Sequence, residues 1–476
     1  MGSNDGNRST PSSVYLVIVP LVGFVWNIIV LFVKATKLIM SRKLTIYLAI
    51  VAVFLLFLSL NIHSNKQPAN YRCEIHADKA GYYVYLPALF LYDFNPNKFP
   101  KNIENTIGEG FAFIKKNPEN DQTVIFTKYP CGVAIMDAPF FLATHFFCTI
   151  SNIEANGFSI PYHRMRDIST WCYTIAGLFF VLLTISRKTK LTENTIILGA
   201  TLFILGTNFL YYSVKDVGLS HNYSFFLIAL FVYLYTIRFN LQKNHHYVVL
   251  AIIIGLLLLI RPINALFLCL IGLWDLNNPN DLKDRILSHW KQWLLFVFVV
   301  ALMMLPQLAY YKYAFGSYFN YSYGNETFKY LRNPQLLKVF FGLQNGWITN
   351  NPIHIFTIIG ILLFIRDGIT NGWKLLTLVL AIGLLYSAWW SWGLGCGFGH
   401  RGFVEFYALL ILPFIYCINV VLGQPRHIKI VALSLLIICI GINLKLTFAY
   451  DNCWYGSSAW DIAEWRKLLF DTGFVK

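Results

Sequence analysis

Long apolar runs separated by shorter polar stretches follow one another along almost the whole chain. Each run is about 13 to 21 residues long and contains no Asp, Glu, Lys or Arg. Such runs predict membrane-spanning helices, because the strands of a membrane β-barrel would alternate apolar with polar residues instead. We assign twelve segments: 14–33, 44–61, 168–186, 194–214, 217–237, 247–260, 262–274, 292–311, 353–365, 375–393, 406–421 and 430–444.

The basic residues between these segments lie mostly on one side if each segment crosses the membrane once from an outside N-terminus. The short inside connections then hold 16 Lys and Arg residues, and the short outside ones hold three. Inside loops of membrane proteins carry this excess of positive charge. We therefore divide the chain into N-terminal spans 1–61, an outer loop 62–167 with interfacial helices, membrane helices 168–311, a second outer loop 312–352, membrane helices 353–444 and an outer tail 445–476.

The composition supports this class of protein. Hydrophobic residues make up 57% of the 476 residues and charged ones 13%, which excludes a soluble enzyme, a disordered tail and a disulfide scaffold. The net charge of +15 is distributed by membrane side, so it does not indicate a nucleic-acid partner. The nine cysteines include no CxxC pair, and we interpret them mostly as small hydrophobic residues. We predict an all-α polytopic membrane protein with about 11 to 13 transmembrane helices.

The first outer loop supplies the best candidate for a catalytic base. Asp78 begins a segment with tyrosines on an apolar background, Asp78–Tyr92, which is typical of an interfacial helix. A carboxylate at the edge of the membrane is expected to have a raised pKa and can accept a proton from a hydroxyl. The alternative is that Asp78 caps this helix, and Glu74 and Asp93 compete for the catalytic role. A second segment, 129–150, also indicates an interfacial helix rather than a span.

Further polar groups face the same side. Asp216 and His221 lie five residues apart in the turn between two spans, where they can orient a phosphate or a hydroxyl or supply two metal ligands. Arg261 lies between two apolar runs, and its guanidinium there needs an anionic partner such as a phosphate. A solvated hairpin tip and a snorkelling or salt-bridged arginine are the open alternatives. Tyr82, on the interfacial segment, adds an aromatic face for a substrate.

The stretch 389–401 is the most unusual in the chain. Three tryptophans precede four glycines at alternate positions, and His400 and Arg401 end the stretch as a cationic pair. Glycine lets a backbone approach a ligand closely, so we predict a phosphate or sugar site, with Trp392 as an aromatic contact. The tryptophans alone would indicate only an aromatic belt at the membrane surface. Glu405 follows within reach of Arg401 and is expected to hold it in place.

This layout resembles the GT-C superfamily of integral-membrane glycosyltransferases. The features that carry the resemblance are a span before a long outer loop with an early acidic residue, interfacial helices in that loop, about a dozen helices, and the late aromatic and glycine-rich stretch that ends in Arg401. The branch with protein O-mannosyltransferases and lipid A aminoarabinose transferases is the most similar, over most of residues 44–421. The resemblance implies an inverting transfer of a sugar from a polyprenyl-phosphate carrier to an acceptor hydroxyl on the non-cytoplasmic side.

The resemblance also implies roles for individual residues. Asp78 matches the acidic residue of the first loop and would act as the base, while Arg401 and Arg261 would steady the departing lipid phosphate. Asp216 and His221 match the second polar outer loop. Asp78 lacks the neighbouring acidic residue of many members. No cofactor is therefore certain, and a divalent metal is left open with Asp216 and His221 as its candidate ligands.

The partners expected from the resemblance are a polyprenyl-phosphate sugar donor, a lipid, glycan or protein acceptor, and membrane lipids. The location would be a bacterial inner membrane, with the active site facing the periplasm. Two other functions stay open. A lipid-linked oligosaccharide flippase or transporter also has about twelve helices, but would place ionisable residues near the midplane and often shows repeated halves. A polymerase or ligase of surface polysaccharides is chemically close to the transferase.

Overall fold

The protein is nearly all-α, with about 72% of its residues in helices, which confirms the predicted fold class at that level. The chain divides into two compact units, Met1–Phe54 and Leu55–Lys476, and the packing discussed below lies within the second. The computed structural model describes residues 40–64, 73–108, 110–115, 123–238, 240, 242–267, 283, 286–369, 372–450 and 462–471.

The helices of the described residues follow the apolar runs of the sequence, with shorter helices in the polar stretches between them. They are α1 (Arg42–His63), α2 (Asp78–Tyr83), α3 (Tyr85–Phe90), α4 (Ile103–Thr106), α5 (Gly132–Ile150), α6 (Ile160–Lys188), α7 (Glu193–Gly206), α8 (Phe209–Val214), α9 (Ser220–Tyr233), α10 (Asn244–Ile260), α11 (Trp290–Phe315), α12 (Leu336–Phe341), α13 (Trp347–Asn350), α14 (His354–Arg366), α15 (Gly372–Ala388), α16 (Tyr407–Leu422), α17 (Arg426–Ala449) and α18 (Ile462–Arg466).

Shorter elements complete the fold. In the part of the chain that the structure describes, two strands, β1 (Ala112–Lys115) and β2 (Thr123–Phe126), pair antiparallel within 62–167 and depart from the all-α prediction. Three 3₁₀ turns and two π-helical turns of these described residues extend or connect the α-helices, at Pro96–Lys98, Pro262–Asn264, Arg401–Phe406, Leu234–Arg238 and Lys467–Asp471.

Seven helices of the described residues are long and apolar enough to cross a membrane. They are α1, α5, α6, the helix Ser220–Ile237 that begins with α9, α11, the helix Arg401–Leu422 that contains α16, and α17. Four shorter apolar helices accompany them, namely α7, α10, α14 and α15. These lengths and compositions are compatible with an integral membrane protein.

Several predicted segments differ from the helices observed. The run 194–214 is split into α7 and α8 around Thr207 and Asn208, where the helix is interrupted. The run 129–150, predicted to be interfacial, contains the continuous 19-residue helix α5, which has the length and composition of a span although Pro139 lies inside it. The run 14–33, predicted as the first span, lies outside the described residues.

The local sequence explains where the site-bearing helices begin and end. Helix α10 ends at Ile260 because Pro262 has no backbone N–H to continue the hydrogen-bond ladder. The side-chain amide of Asn264 also donates at 2.9 Å to the carbonyl oxygen of Leu257, which already accepts from the backbone N–H of Arg261, so the turn is tied back to the end of the helix. This break exposes Arg261 between two helical segments.

Three pairs of helices pack closely along their lengths. Helix α6 packs extensively against α9, α10 against α11, and α14 against α16. In the last pair, a Cβ on Gly360 would lie 1.9 Å from the carbonyl oxygen of Pro413, so the two backbones touch directly. Only glycine permits this approach.

An aromatic core beneath the first outer loop fixes α2 and α3. Phe99, Phe111 and Phe158 have ring centroids 6.1 to 6.5 Å apart, and all three are buried. The hydroxyl of Tyr83 donates to the Gly157 carbonyl at 2.5 Å, so this core holds the helix that starts with the candidate base.

Candidate functional site

Asp78 is the first residue of α2, and its side chain does not cap that helix. Ala77 occupies the N-cap position, and no side-chain hydrogen bond is made there. The Asp78 carboxylate instead accepts hydrogen bonds from Arg401 Nη2 at 3.1 Å and from the Tyr129 hydroxyl at 2.5 Å. These partners are 323 and 51 residues away in the chain. The alternative interpretation of Asp78 as a helix cap is therefore not supported.

Two neighbours of Asp78 hold α2 in position. A Cβ on Gly81 would lie 2.3 Å from the ring of Tyr129, so glycine at this position lets the ring rest directly on the helix. Lys79 Nζ donates to Asp216 Oδ1 at 2.9 Å and ties α2 to the turn before α9. Asp216, predicted to bind substrate, thus pairs with Lys79 beside the base.

The charge of Asp78 is stabilised by the groups around it. Burial acts to raise the pKa of its carboxyl group, but Arg401, the Tyr129 hydroxyl and Lys128 together lower that pKa below its ordinary value of 3.8. The expectation of a raised pKa was therefore wrong, because it considered the membrane edge and not these partners. Solvent reaches 36% of the side chain through the cavity described below. Asp78 is thus an ionised carboxylate at neutral pH.

Arg401 starts the 3₁₀ turn that follows the glycine-rich stretch. The stretch is held from beneath by Asn345, whose amide nitrogen donates to the carbonyl oxygens of Gly393 and Gly395 at 2.8 and 2.9 Å. Gly399 has a φ of 62°, a left-handed conformation that glycine adopts without strain. The glycine-rich stretch therefore forms a turn that is held by Asn345 and that places Arg401 in contact with Asp78.

Glu405 was predicted to hold Arg401 in place, but it pairs with two other residues. Its buried carboxylate accepts from Arg261 Nη1 at 2.8 Å through Oε1 and from His221 Nδ1 at 2.8 Å through Oε2. Arg401 pairs with Asp78 instead. One carboxylate thus fixes both Arg261 and His221, which come from different helices.

These side chains surround one cavity of about 720 Å³. Charged, aromatic and small polar side chains share its wall. The polar and charged lining residues are Asp78, Lys128, Ser220, His221, Arg261, Asn320, Ser322, Glu326, Ser391 and Arg401, and the aromatic ones are Tyr82, Tyr129, Tyr311, Tyr321, Tyr323, Phe328, Tyr386, Trp389 and Trp390. The volume lies within the range of small-molecule sites in proteins.

Lys128 and Glu326 form a third pair on the cavity wall. Lys128 Nζ lies 2.5 Å from Glu326 Oε1 and 5.4 and 5.7 Å from the ring centres of Tyr129 and Tyr323. Sequence reasoning missed this pair, since both residues lie in long polar loops with nothing to distinguish them from other surface charges. Each of the three cavity cations therefore has one carboxylate partner.

Three residues predicted to bind substrate, His400, Trp392 and Asp216, do not line the cavity, and neither does Glu405. His400 is fully buried, and its Nε2 lies 3.0 Å from the carbonyl oxygen of Trp392, so both help to shape the glycine-rich turn. Burial lowers the pKa of His400 to about 4. The predicted cationic pair with Arg401 is therefore wrong, because the imidazole is neutral at pH 7. Trp389 and Trp390 line the cavity instead.

Tyr82 lines the cavity as predicted for a binding residue, and His221 does so as well. The two candidate metal ligands do not share a partner: Asp216 pairs with Lys79, and His221 pairs with Glu405. The turn that carries them directs their side chains into different ionic pairs. The structure thus brings Asp78, Arg401, Arg261 and His221 around one space and leaves Asp216 outside its wall.

The competing acids have other partners. Asp93 is exposed and pairs with Lys98 at 2.5 Å. Glu74 is buried in an ionic cluster that we did not predict, where burial acts to raise its pKa but the neighbours lower it well below the ordinary 4.5. These neighbours are His63, His163 and Arg164.

The Glu74 cluster includes a group with metal-ligand chemistry. The side chains of His63, Glu74 and Asp167 offer donor atoms within 4.8 Å of one another. Arg164 Nη1, however, lies 2.5 Å from the carboxylate of Glu74 and 3.2 Å from that of Asp167. The guanidinium therefore supplies the positive charge between the two carboxylates, and the cluster is an ion-pair network that joins the end of α1 to α6.

Fold and site together define a helical protein with candidate membrane spans and a charged, aromatic-lined cavity. Comparison with known proteins found no matching family model, no matching curated protein and no matching solved structure. A function for the chain therefore has to be inferred from the cavity itself.

Proposed function

We propose that the protein is an inverting glycosyltransferase of the GT-C type, which moves a sugar from a polyprenyl-phosphate donor to an acceptor hydroxyl. The observation that carries this proposal is the Asp78–Arg401 pair, 3.1 Å apart, in the wall of a cavity that also contains Arg261. A carboxylate can accept the proton of a hydroxyl, and guanidinium groups stabilise a phosphate that gathers charge as it leaves.

Phosphate binding and base strength are coupled in this arrangement. Arg401 helps to hold the pKa of Asp78 below its ordinary value, so the carboxylate is ionised but a weak base. A donor phosphate that takes over the Arg401 guanidinium removes this stabilisation and raises the pKa of Asp78. Asp78 then becomes a stronger base only when the donor is in place, and the acceptor proton passes to it as the new glycosidic bond forms.

The rest of the wall suits a sugar bound between charged and aromatic groups. Tyr82, Tyr323, Trp389 and Trp390 line the cavity, and aromatic rings can stack on the apolar faces of sugars. Asn320 offers an amide for hydroxyl groups. The lining therefore favours binding of a carbohydrate in the cavity over binding of a purely apolar lipid chain.

The proposed orientation places the cavity on the outer side of a bacterial inner membrane. Cys396, a lining residue, is disulfide-bonded and is thus an exception to the interpretation of the cysteines as mostly small hydrophobic residues. Disulfides persist in oxidising compartments such as the periplasm. This agrees with the positive-inside distribution of the loop charges, which also assigns the 394–405 connection to the outside. The acceptor would be a periplasmic lipid, glycan or protein.

Transfer in detergent tests the proposal. Purified protein is incubated with short-chain polyprenyl-phosphate hexoses and pentoses and with membrane extract as the acceptor source, and release of polyprenyl phosphate is measured. We expect release with at least one donor, and a loss of about 10² to 10³ in rate for Asp78→Asn and for Arg401→Ala. Asp93→Asn and Arg366→Ala, which alter exposed ion pairs, are the matched controls.

Two results would contradict the proposal. If Asp78→Asn transferred sugar at the wild-type rate, Asp78 would not be the catalytic base. Movement of intact donor across a vesicle membrane without release of polyprenyl phosphate would instead identify a flippase, since a transporter leaves the glycosidic bond unbroken.

A further inference from the structure

We propose that His221 is the general acid of the transfer, which donates a proton to the departing lipid phosphate. This inference rests on the proposed function, because it assigns a role within that reaction. It starts from the Glu405–His221 pair, a buried carboxylate bonded to an imidazole that lines the substrate cavity. The same carboxylate holds Arg261, a proposed phosphate ligand.

Glu405 fixes which nitrogen of His221 is available. Its Oε2 lies 2.8 Å from Nδ1, and a carboxylate can only accept, so Nδ1 carries a hydrogen. His221 lines the cavity, and with Nδ1 engaged by Glu405 the ring nitrogen left for a substrate is Nε2. A carboxylate behind an imidazole also stabilises the imidazolium form, which is the form that can donate from Nε2.

The location of His221 puts it on the phosphate side of the cavity. Arg261 Nη1 is 3.2 Å from His221 Nδ1, and both groups meet at Glu405. A phosphate bound to the Arg261 guanidinium therefore lies beside the imidazole ring. Asp78 belongs to the other charged pair, with Arg401, so base and acid approach the reacting carbon from different ion pairs.

Several charged or titratable groups surround His221. Glu405 and Arg401 belong to the 3₁₀ turn before α16, Arg261 follows α10, and the ring of Tyr212 from α8 lies 5.2 Å from the imidazole. The two guanidinium groups oppose a positive charge on the imidazole. A bound anionic phosphate offsets them, so the donor itself creates the conditions for a protonated His221.

The reaction balances with these two groups. The oxygen of the acceptor hydroxyl forms a bond to the anomeric carbon, and its proton passes to Asp78. The bond between that carbon and the phosphate oxygen breaks, its electron pair stays on oxygen, and His221 donates the Nε2 proton to the phosphate. The second pKa of a phosphate monoester is about 6, so the departing phosphate oxygen can hold a proton near neutral pH.

Two variants separate the roles that His221 can have. His221→Asn places an amide N–H near the Nδ1 position and can keep the bond to Glu405, but it has no group in place of Nε2. His221→Gln places a neutral N–H near the Nε2 position, which can donate a hydrogen bond but not transfer a proton. His427→Asn, at an exposed histidine near the start of α17, is the control. Release of polyprenyl phosphate is measured from about pH 5 to 9 for each protein.

We expect the wild-type rate to fall as the pH rises and the imidazole of His221 loses its proton. Both His221 variants should lose about 10²-fold or more in rate at the wild-type optimum and should lack this alkaline decline, while their affinity for polyprenyl phosphate stays within about threefold. His427→Asn should keep both the rate and the profile.

Other outcomes overturn the assignment in distinct ways. Full activity in His221→Asn would mean that His221 only positions Glu405, and full activity in His221→Gln would mean that it only donates a hydrogen bond. If neither variant folds, a wild-type profile without the alkaline decline is enough to reject a general acid. If the wild type releases no polyprenyl phosphate from any donor, the proposed function fails and the inference falls with it.

Discussion

Replacing Asp78 by Asn is expected to tighten the binding of polyprenyl phosphate while it abolishes transfer. The guanidinium of Arg401 lies 3.1 Å from the Asp78 carboxylate. A phosphate that binds there competes with Asp78 for this guanidinium. The uncharged amide of Asn competes less, so the phosphate binds a cation that is no longer neutralised.

The distance between the two side chains sets the size of the effect. Opposite charges about 4 Å apart attract by about 1 kcal/mol in water and about 4 kcal/mol at the effective dielectric constant of a protein surface. Because solvent reaches 36% of the Asp78 side chain, we expect the lower part of this range, about 1 to 2 kcal/mol. That corresponds to roughly 5- to 30-fold tighter binding.

Titration of the purified protein with polyprenyl phosphate, followed by tryptophan fluorescence, measures this change, since Trp389 and Trp390 line the cavity. The gain should shrink at high ionic strength. It should also disappear when Arg401→Gln is combined with Asp78→Asn, which isolates the pairwise interaction. Asp93→Asn should bind like the wild type. Equal or weaker binding by Asp78→Asn would refute the competition between phosphate and carboxylate.

Three further predictions concern stability, each measured by thermal unfolding in detergent. The pKa of Glu74 in the folded protein is well below 4.5, so its charge stabilises the fold above pH 4.5, and this stabilisation is lost as the pH falls through the folded-state pKa. Glu74→Gln carries no such charge, so its stability should drop less than that of the wild type below about pH 4.5. Gly360→Ala should destabilise the protein strongly, by several kcal/mol, since the new Cβ would lie 1.9 Å from a backbone oxygen of α16. Gly441 has open space around it, so Gly441→Ala, the control, should be neutral or stabilising by up to about 1 kcal/mol. Similar unfolding temperatures for the two variants would contradict this packing. Asp137→Ala should cost about 3 to 5 kcal/mol because it leaves the buried Arg166 without its carboxylate, and a loss below about 1 kcal/mol would show that the pair is unimportant.

The apolar runs of the sequence were enough to predict the helical class and most helix positions. In hydrocarbon, a single uncharged run can pair its backbone N–H and C=O groups with each other only as a helix, so the apolar pattern predicts the secondary structure. Helix interruptions were harder to predict, as in the split of 194–214 around Asn208. There a buried amide donates to the carbonyl oxygen of Phe398 at 3.1 Å, a contact 190 residues away that no local pattern reveals.

The sequence by itself also determined which residue types were candidates, because Asp78, Arg261 and Arg401 are charges next to apolar runs and need partners. Only the tertiary structure determined which residues those partners are. Glu405 is four residues from Arg401 yet binds Arg261 and His221, while Arg401 reaches Asp78 across 323 residues. Charge pairing depends on distances of a few ångströms in space, and these are set by helix packing rather than by separation along the chain.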